Sequence, residues 1–239
     1  DMNGNVKLYD KNSFKLLDKL VLKGKFTRRI VNIKEFNSSL VVTSDFGMYL
    51  FDIIFDRFKV NVHQRGDSKN SLQFGDTILV FTHSRLKLYD RRGDSISVLE
   101  LGKRSYCGLA VADGILIGTE DGLLMANKKF TGIKEVKPRI LSRIQDMCFV
   151  GDTLFLATSH SGIILIKNDR IIDTLDERDG MSNACCFRMQ LKDSLLYIAT
   201  QNGLNVYNQR SKKISSYFTN SGLASNVIHD ITLDQSNLY

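Results

Sequence analysis

Short apolar strands that end on threonine recur along the chain at a nearly constant spacing. The clearest copies are residues 195–200, LeuLeuTyrIleAlaThr, and residues 153–158, ThrLeuPheLeuAlaThr. The five copies end near Thr43, Thr82, Thr119, Thr158 and Thr200, and consecutive threonines are 39, 37, 39 and 42 residues apart. A period near 40 residues that is built from short strands indicates a repeat architecture.

Each copy is predicted to contain four strands joined by short polar turns. After the threonine comes a turn, most clearly at Asn202-Gly203, and Asn-Gly between two apolar runs is a strong hairpin signal. A third and a fourth strand follow, as in residues 203–208 and 213–218, and a first strand precedes each copy, as in residues 226–233. Four antiparallel strands in about 40 residues predict an all-β fold, a β-propeller of four-stranded blades.

Both ends of the chain match the inside of a repeat. Residues 3–10 match residues 202–208, and residues 237–239 match residues 195–197. Six repeats are therefore visible, and we expect a six-bladed propeller or part of a seven-bladed ring. Residues 1–239 are predicted to form a single β-propeller domain or a fragment of one.

Composition excludes several other classes of protein. No stretch approaches 18 apolar residues, so no segment is expected to span a membrane. The net charge is +7, but lysine and arginine are spread over all repeats, which indicates a solvated surface and no nucleic-acid partner. The four cysteines lack the CxxC spacing of a metal site, and we expect them to be small buried apolar residues: Cys107, Cys148, Cys185 and Cys186.

The last third of the chain carries more specific motifs. Residues 179–183, AspGlyMetSerAsn, and residues 221–226, SerGlyLeuAlaSerAsn, precede the first strands of consecutive repeats. The former is followed by LeuTyrIleAlaThr, then by Asn-Gly-Leu and Tyr-Asn. This order resembles the two-component regulator propeller repeat, whose pattern is roughly a Gly-Leu-x-Ser-Asn loop, Leu-Trp-Ile-Gly-Thr, Asn-Gly-Leu and Tyr-Asp.

The resemblance is close over residues 175–239. Over residues 1–174 it is limited to the period, the threonine position and the Leu-Tyr-Asp endings at Tyr9 and Tyr89. The first four repeats lack the Gly-Leu-x-Ser-Asn loop. The chain also has no tryptophan, so other residues occupy the usual tryptophan position: Tyr197, Phe155, Leu116, Leu79 and Val41.

The resemblance implies a function and a place in the cell. Such propellers form the periplasmic sensor regions of membrane-bound, often hybrid, histidine kinases that govern carbohydrate use. It implies a non-catalytic, ligand-binding homodimer, with oligosaccharide as the candidate ligand, whose membrane helix and kinase lie outside this chain. Two alternatives stay open: a protein-interaction scaffold, either WD-repeat-like or from a secretion apparatus, and a propeller hydrolase.

Aligning the repeats predicts a ligand site at the mouth of the axial channel. It places Arg29, Asp67, Ser105, Arg143, Asn183 and Asn226 at equivalent positions, with Arg28 and Arg104 beside them. Several arginines around one opening would attract an anionic or polyhydroxylated ligand. The candidate ligand-binding residues are Arg28, Arg29, Arg104, Arg143, Asn183 and Asn226, and the competing interpretation is that these loops are structural turns.

No catalytic or metal motif is found. GxSxG, the P-loop and HExxH are absent, and the four histidines have no second histidine three or four residues away. We therefore expect no catalytic residue, metal or cofactor in this region.

Overall fold

The chain forms two compact units, Asp1–Ser105 and Tyr106–Tyr239. The computed structural model describes residues 5–10, 13, 15–21, 30–37, 39–45, 47–54, 57–66, 68–233 and 238. No helix in this described part is long and apolar enough to cross a membrane.

The first unit contains a two-stranded sheet and two four-stranded antiparallel blades. The two-stranded sheet pairs β1 (Asn5–Tyr9) with β2 (Leu16–Val21). Blade 1 consists of β3 (Ile30–Phe36), β4 (Ser39–Ser44), β5 (Gly47–Ile54) and β6 (Arg57–Arg65). Blade 2 consists of β7 (Asn70–Phe74), β8 (Thr77–Phe81), β9 (Arg85–Tyr89) and β10 (Ser95–Glu100).

The second unit contains three more four-stranded antiparallel blades. Blade 3 consists of β11 (Ser105–Val111), β12 (Gly114–Thr119), β13 (Leu123–Asn127) and β14 (Ile133–Glu135). Blade 4 consists of β15 (Ile144–Val150), β16 (Thr153–Thr158), β17 (Ile163–Lys167) and β18 (Arg170–Leu175). Blade 5 consists of β19 (Cys186–Lys192), β20 (Leu195–Thr200), β21 (Gly203–Asn208) and β22 (Lys213–Tyr217). Two 3₁₀ turns, Glu177–Asp179 and Thr219–Ser221, follow blades 4 and 5.

The prediction of an all-β propeller built from four-stranded blades is confirmed, but the described part of the chain contains five such blades and not six. β1 and β2 correspond to the third and fourth strands of a blade. The predicted first strand at residues 226–233 is irregular, and a single bridge joins Leu233 to Leu238. A strand needs a continuous ladder of hydrogen bonds. Of the partner expected at residues 237–239, Leu238 provides that bridge, so the described residues contain no sixth blade of four strands.

Apolar side chains from facing blades interlock to form the core of the second unit. Between blades 4 and 5, Phe155 lies 6.3 Å from Tyr207, centroid to centroid. Both side chains are less than 5% exposed, and Ile214 of β22 packs against the same cluster. Stacking therefore buries faces that one blade could not bury alone.

In blades 3, 4 and 5 the threonine that ends the second strand closes the following hairpin. The Thr200 hydroxyl donates to the Gly203 carbonyl at 2.7 Å and accepts from the Asn202 N–H at 3.2 Å. Thr158 makes the same two contacts with Gly162 and Ser161. The hydroxyl closes the turn, which explains why the sequence repeats it.

In blade 1 the repeat position is one residue later than the sequence pattern suggested. Ser44, not Thr43, pairs with Gly47 as Thr200 pairs with Gly203. The Ser44 hydroxyl donates to the Gly47 carbonyl at 3.2 Å, whereas the Thr43 hydroxyl points to the Asn32 carbonyl at 3.5 Å. Ser44 therefore holds in blade 1 the position that Thr200 holds in blade 5. The sequence pattern pointed to Thr43 because the two neighbouring residues both carry a hydroxyl group.

The cysteines behave largely as small apolar residues. The four form no disulfide with one another. Cys107 and Cys186 are buried, and Cys148 and Cys185 are partly buried. Burial raises the pKa of the Cys148 thiol to about 12, with the Asp146 carboxylate adding to the effect.

Candidate functional site

In the second unit, two kinds of loop lie side by side at one end of the blades, which we call the hairpin face. They are the loop before each first strand and the turn between the second and third strands. The Gly162 N–H donates to the Ala184 carbonyl at 3.0 Å, and the Gln201 N–H donates to the Cys185 carbonyl at 3.0 Å. Backbone hydrogen bonds therefore hold each leading loop against the hairpins beside it.

Arg143 is exposed on the hairpin face and covers an aromatic ring. Its guanidinium carbon lies 4.9 Å from the centroid of the Tyr106 ring, a cation–π contact. The Arg143 carbonyl accepts from the Ser159 N–H at 3.0 Å, as the Cys185 carbonyl does from Gln201. Arg143 is therefore equivalent to Cys185 and not to Asn183.

Cys185 is close enough to Arg143 to be affected by its charge. Partial burial raises the pKa of the Cys185 thiol, and the positive charge of Arg143 opposes that rise. The two side chains belong to the loops before β15 and β19, so adjacent blades contribute to one surface.

Asn183 and Asn226 stabilise the loops in which they lie. The Asn183 carboxamide oxygen accepts from the Cys185 N–H at 2.9 Å, and that of Asn226 accepts from the Thr219 N–H at 2.8 Å. The residue equivalent to Asn226 is Ala184, whose N–H donates to the Glu177 carboxylate at 2.7 Å. Both loops therefore join the same two positions by a side chain. In one loop the first position, Glu177, supplies the side chain, and in the other the second position, Asn226, supplies it.

The remaining predicted site residues lie in the first unit. Arg104 is exposed, and its Nε donates to Nε2 of His83 at 2.6 Å. Arg28, Arg29 and Asp67 lie outside the described residues. Ser105 is buried and its hydroxyl donates to the Thr82 carbonyl at 2.8 Å, which gives it a structural role.

The first strands of blades 4 and 5 carry a polar network that the sequence did not single out. Arg188 donates from a terminal guanidinium nitrogen to the Gln145 carbonyl at 3.1 Å, and its Nε lies 3.6 Å from the Asp230 carboxylate. The Asp146 carboxylate accepts from the Met189 N–H at 2.9 Å. Arg188 and Asp146 thus join neighbouring blades by contacts to backbone atoms.

Two rings lie next to this network. The Phe187 and His229 rings are 5.4 Å apart and inclined at 38°. Phe187 immediately precedes Arg188, and His229 precedes Asp230. The equivalent positions are hard to recognise in sequence because Gln145, Phe187 and His229 share neither charge nor size.

The side chains on this surface suit the recognition of a ligand. Arginine donors next to aromatic rings can hydrogen-bond hydroxyl or carboxylate groups while a ring stacks on the ligand. Among the described residues, no three His, Cys, Asp or Glu side chains converge in a way that could hold a metal ion.

No family model matches the chain, and no curated protein matches it. Solved structures do match. The extracellular domain of BT4673, assigned as a hybrid two-component system from B. thetaiotaomicron, matches with a TM-score of 0.78, 16% identity and coverage of 99% of this chain and 34% of that one. The chain therefore spans about a third of that extracellular domain.

Two further structures with quite different origins have the same arrangement. The computationally designed protein Ika8 matches with a TM-score of 0.70 and 12% identity, covering 99% of this chain and 74% of that one. Sqt1 of Saccharomyces cerevisiae matches with a TM-score of 0.68 and 13% identity, covering 99% and 73%. At these identities the likeness concerns the fold. The chain has a β-propeller fold shared with a two-component extracellular domain, and the resemblance to such propellers is confirmed at that level.

Proposed function

We propose that this chain is the non-catalytic sensor propeller of a two-component histidine kinase. The observation that carries the proposal is the match to the extracellular domain of a protein assigned to a two-component system, over 99% of this chain. The Gly-Met-Ser-Asn and Gly-Leu-Ala-Ser-Asn loops at residues 180–183 and 222–226 support it independently, because they follow the pattern of the regulator propellers. We place the chain in the periplasm, as part of an inner-membrane protein that functions as a homodimer.

We propose an oligosaccharide as the ligand and the hairpin face as its site. Arg143 over the Tyr106 ring offers guanidinium donors beside an aromatic surface, and the Phe187 and His229 rings offer further stacking area. Sugars present hydroxyl groups at their edges and C–H groups on their faces, which suits this combination. The bound sugar would signal by its differential affinity for two arrangements of the dimer.

Autophosphorylation of the full-length protein in inner-membrane vesicles tests the proposal. We expect at least one member of a panel of neutral and acidic oligosaccharides to change the rate of phosphate incorporation from ATP. Arg143→Ala and Tyr106→Ala should raise the half-maximal concentration of that sugar about tenfold, the equivalent of about 1.4 kcal/mol. Arg210→Ala, at an exposed arginine in the turn between β21 and β22, is the matched control and should leave it unchanged.

Two outcomes would refute the proposal. A full-length protein that incorporates no phosphate from ATP is not a histidine kinase. A sugar response that Arg143→Ala and Tyr106→Ala leave intact would place the ligand elsewhere on the protein.

A further inference from the structure

An apolar groove of about 550 Å³ lies between blades 3 and 4. Blade 3 contributes one wall and blade 4 the other, and the main apolar side chains are Leu116, Met125 and Val136 on the first and Phe149, Leu154 and Ile166 on the second. Its volume falls in the range of small-molecule sites, about 300–1,000 Å³. We call it the 3–4 groove.

The 3–4 groove exists because two aromatic positions of the repeat are occupied by smaller residues. Leu116 pairs with Met125 in blade 3 as Phe155 pairs with Leu165 in blade 4. Leu116 therefore occupies the position of Phe155. Leu154 pairs with Ile166 as Leu196 pairs with Tyr207, so Ile166 occupies the position that Tyr207 has in blade 5.

The outer strands show the consequence. Ile171 pairs with Ile166, and Ile214 pairs with Tyr207, so the two isoleucines are equivalent. Ile214 packs against the core between blades 4 and 5, whereas Ile171 is 47% exposed. Phe149 is also 43% exposed at the 3–4 groove. Between blades 3 and 4 the smaller Leu116 and Ile166 are buried in the floor of the groove, which lies where Phe155 and Tyr207 pack between blades 4 and 5.

The end of the 3–4 groove that lies away from the hairpin face is acidic. Asp113 is at the turn between β11 and β12, Asp169 is at the turn between β17 and β18, and both line the groove and are exposed. Within the described residues neither has an ion-pair partner. The Lys167 ammonium at this end is neutralised by the Asp152 carboxylate at 2.7 Å. Lys137 is not at this end. It follows Val136, whose N–H donates to the Leu123 carbonyl at the opposite end of β13.

We propose that the 3–4 groove binds a small amphipathic amine. The apolar body of the ligand lies over Leu116 and Ile166, which form the buried floor of the groove, and it covers the more exposed walls at Met125, Val136 and Phe149. Its ammonium group lies between the Asp113 and Asp169 carboxylates. Because these carboxylates are exposed and their attraction is screened by water, they provide selectivity for a cation while the apolar walls provide most of the affinity.

Three matched probes distinguish the parts of this proposal. They are 4-phenylbutylamine, 4-phenylbutanol and 4-phenylbutyrate, which share one apolar body and differ in the charge of the head group. By calorimetric titration of the protein we expect the amine to bind most tightly, at least about threefold more tightly than the alcohol, and the carboxylate to bind most weakly. Asp113→Asn with Asp169→Asn should remove the preference for the amine and leave binding of the alcohol unchanged.

Filling the 3–4 groove provides the second test. Leu116→Phe with Ile166→Tyr introduces the side chains found between blades 4 and 5, and we expect binding of all three probes to weaken about tenfold or more. Ile96→Phe, at an exposed isoleucine of β10, is the matched control and should not affect binding. The methyl resonance of Met125 in the wild-type protein should shift on titration with the amine, which gives a readout that does not depend on a variant.

The proposal is overturned by a carboxylate that binds as tightly as the amine, by undiminished binding to the filled variant, or by a Met125 methyl resonance that stays in place. The 3–4 groove and the hairpin face are separate, so any of these results leaves the sensor proposal standing.

Discussion

Truncation of Phe155 to alanine should destabilise the second unit strongly. The Phe155 ring is 4% exposed and contacts Tyr207 between blades 4 and 5. Burial of a phenylalanine side chain contributes about 1.5–3 kcal/mol, and the cavity left by truncation raises the cost to roughly 3–5 kcal/mol. The ring pair with Tyr207 accounts for about 0.5–1.5 kcal/mol of that loss.

Phe149→Ala is the matched control, since Phe149 lies in the first strand of the same blade but is 43% exposed. We expect it to cost about 1 kcal/mol, because a half-exposed ring loses less transfer free energy and leaves no closed cavity. Urea denaturation monitored by circular dichroism measures both variants. Equal destabilisation by the two substitutions, or a cost below about 1 kcal/mol for Phe155→Ala, would refute the assigned packing of blade 4 on blade 5.

Three other predictions concern the turns, the surface charges and the thiols. Thr200→Val removes the hydroxyl that bonds Gly203 and Asn202, and it should lower the free energy of unfolding in urea by about 1–2 kcal/mol. Thr232→Val, at an exposed residue, should be near neutral, and the reverse order would contradict the role of the repeated threonine. The Lys167 ammonium holds the pKa of the Asp152 carboxyl below its usual value, so this pair stabilises the fold above the unfolded-state pKa and the effect is lost as the pH falls through the folded-state pKa. Lys167→Met should raise the pKa of Asp152 measured by NMR titration. An unchanged pKa would exclude the ion pair. Because burial raises the pKa of the Cys148 and Cys186 thiols, iodoacetamide at pH 8 should modify the more exposed Cys185 first, as followed by mass spectrometry, and earlier labelling of Cys186 would show that β19 is not packed as described.

The sequence contained enough information to predict the blades because their signals are local. A threonine before a turn, and glycine in the turn, predict the hairpin from a few neighbouring residues. The register within a hydroxyl pair is not local in this way: Thr43 and Ser44 can be told apart only by their strand partners. The same reason applies to Asn183 and Asn226. Both directly follow a serine, and only their hydrogen-bond partners show that they are not equivalent.

The number of blades and the shape of the spaces between them depend on contacts across long sequence distances. The sequence shows Leu116 in the slot that holds Phe155 in the next copy. It does not show that Ile166 faces the same gap, which follows from the pairing of β16 with β17. Likewise, the role of Arg188 depends on the Gln145 carbonyl, 43 residues earlier in the chain.

The most direct test of ligand recognition at the hairpin face is hydrogen exchange of the full-length protein with and without the oligosaccharide that alters its phosphorylation. The account predicts protection confined to segments at the hairpin face, around Tyr106, Arg143 and Cys185, and unchanged exchange in the turn at Gln209–Lys212. Protection at Gln209–Lys212 with none around Arg143 would contradict it.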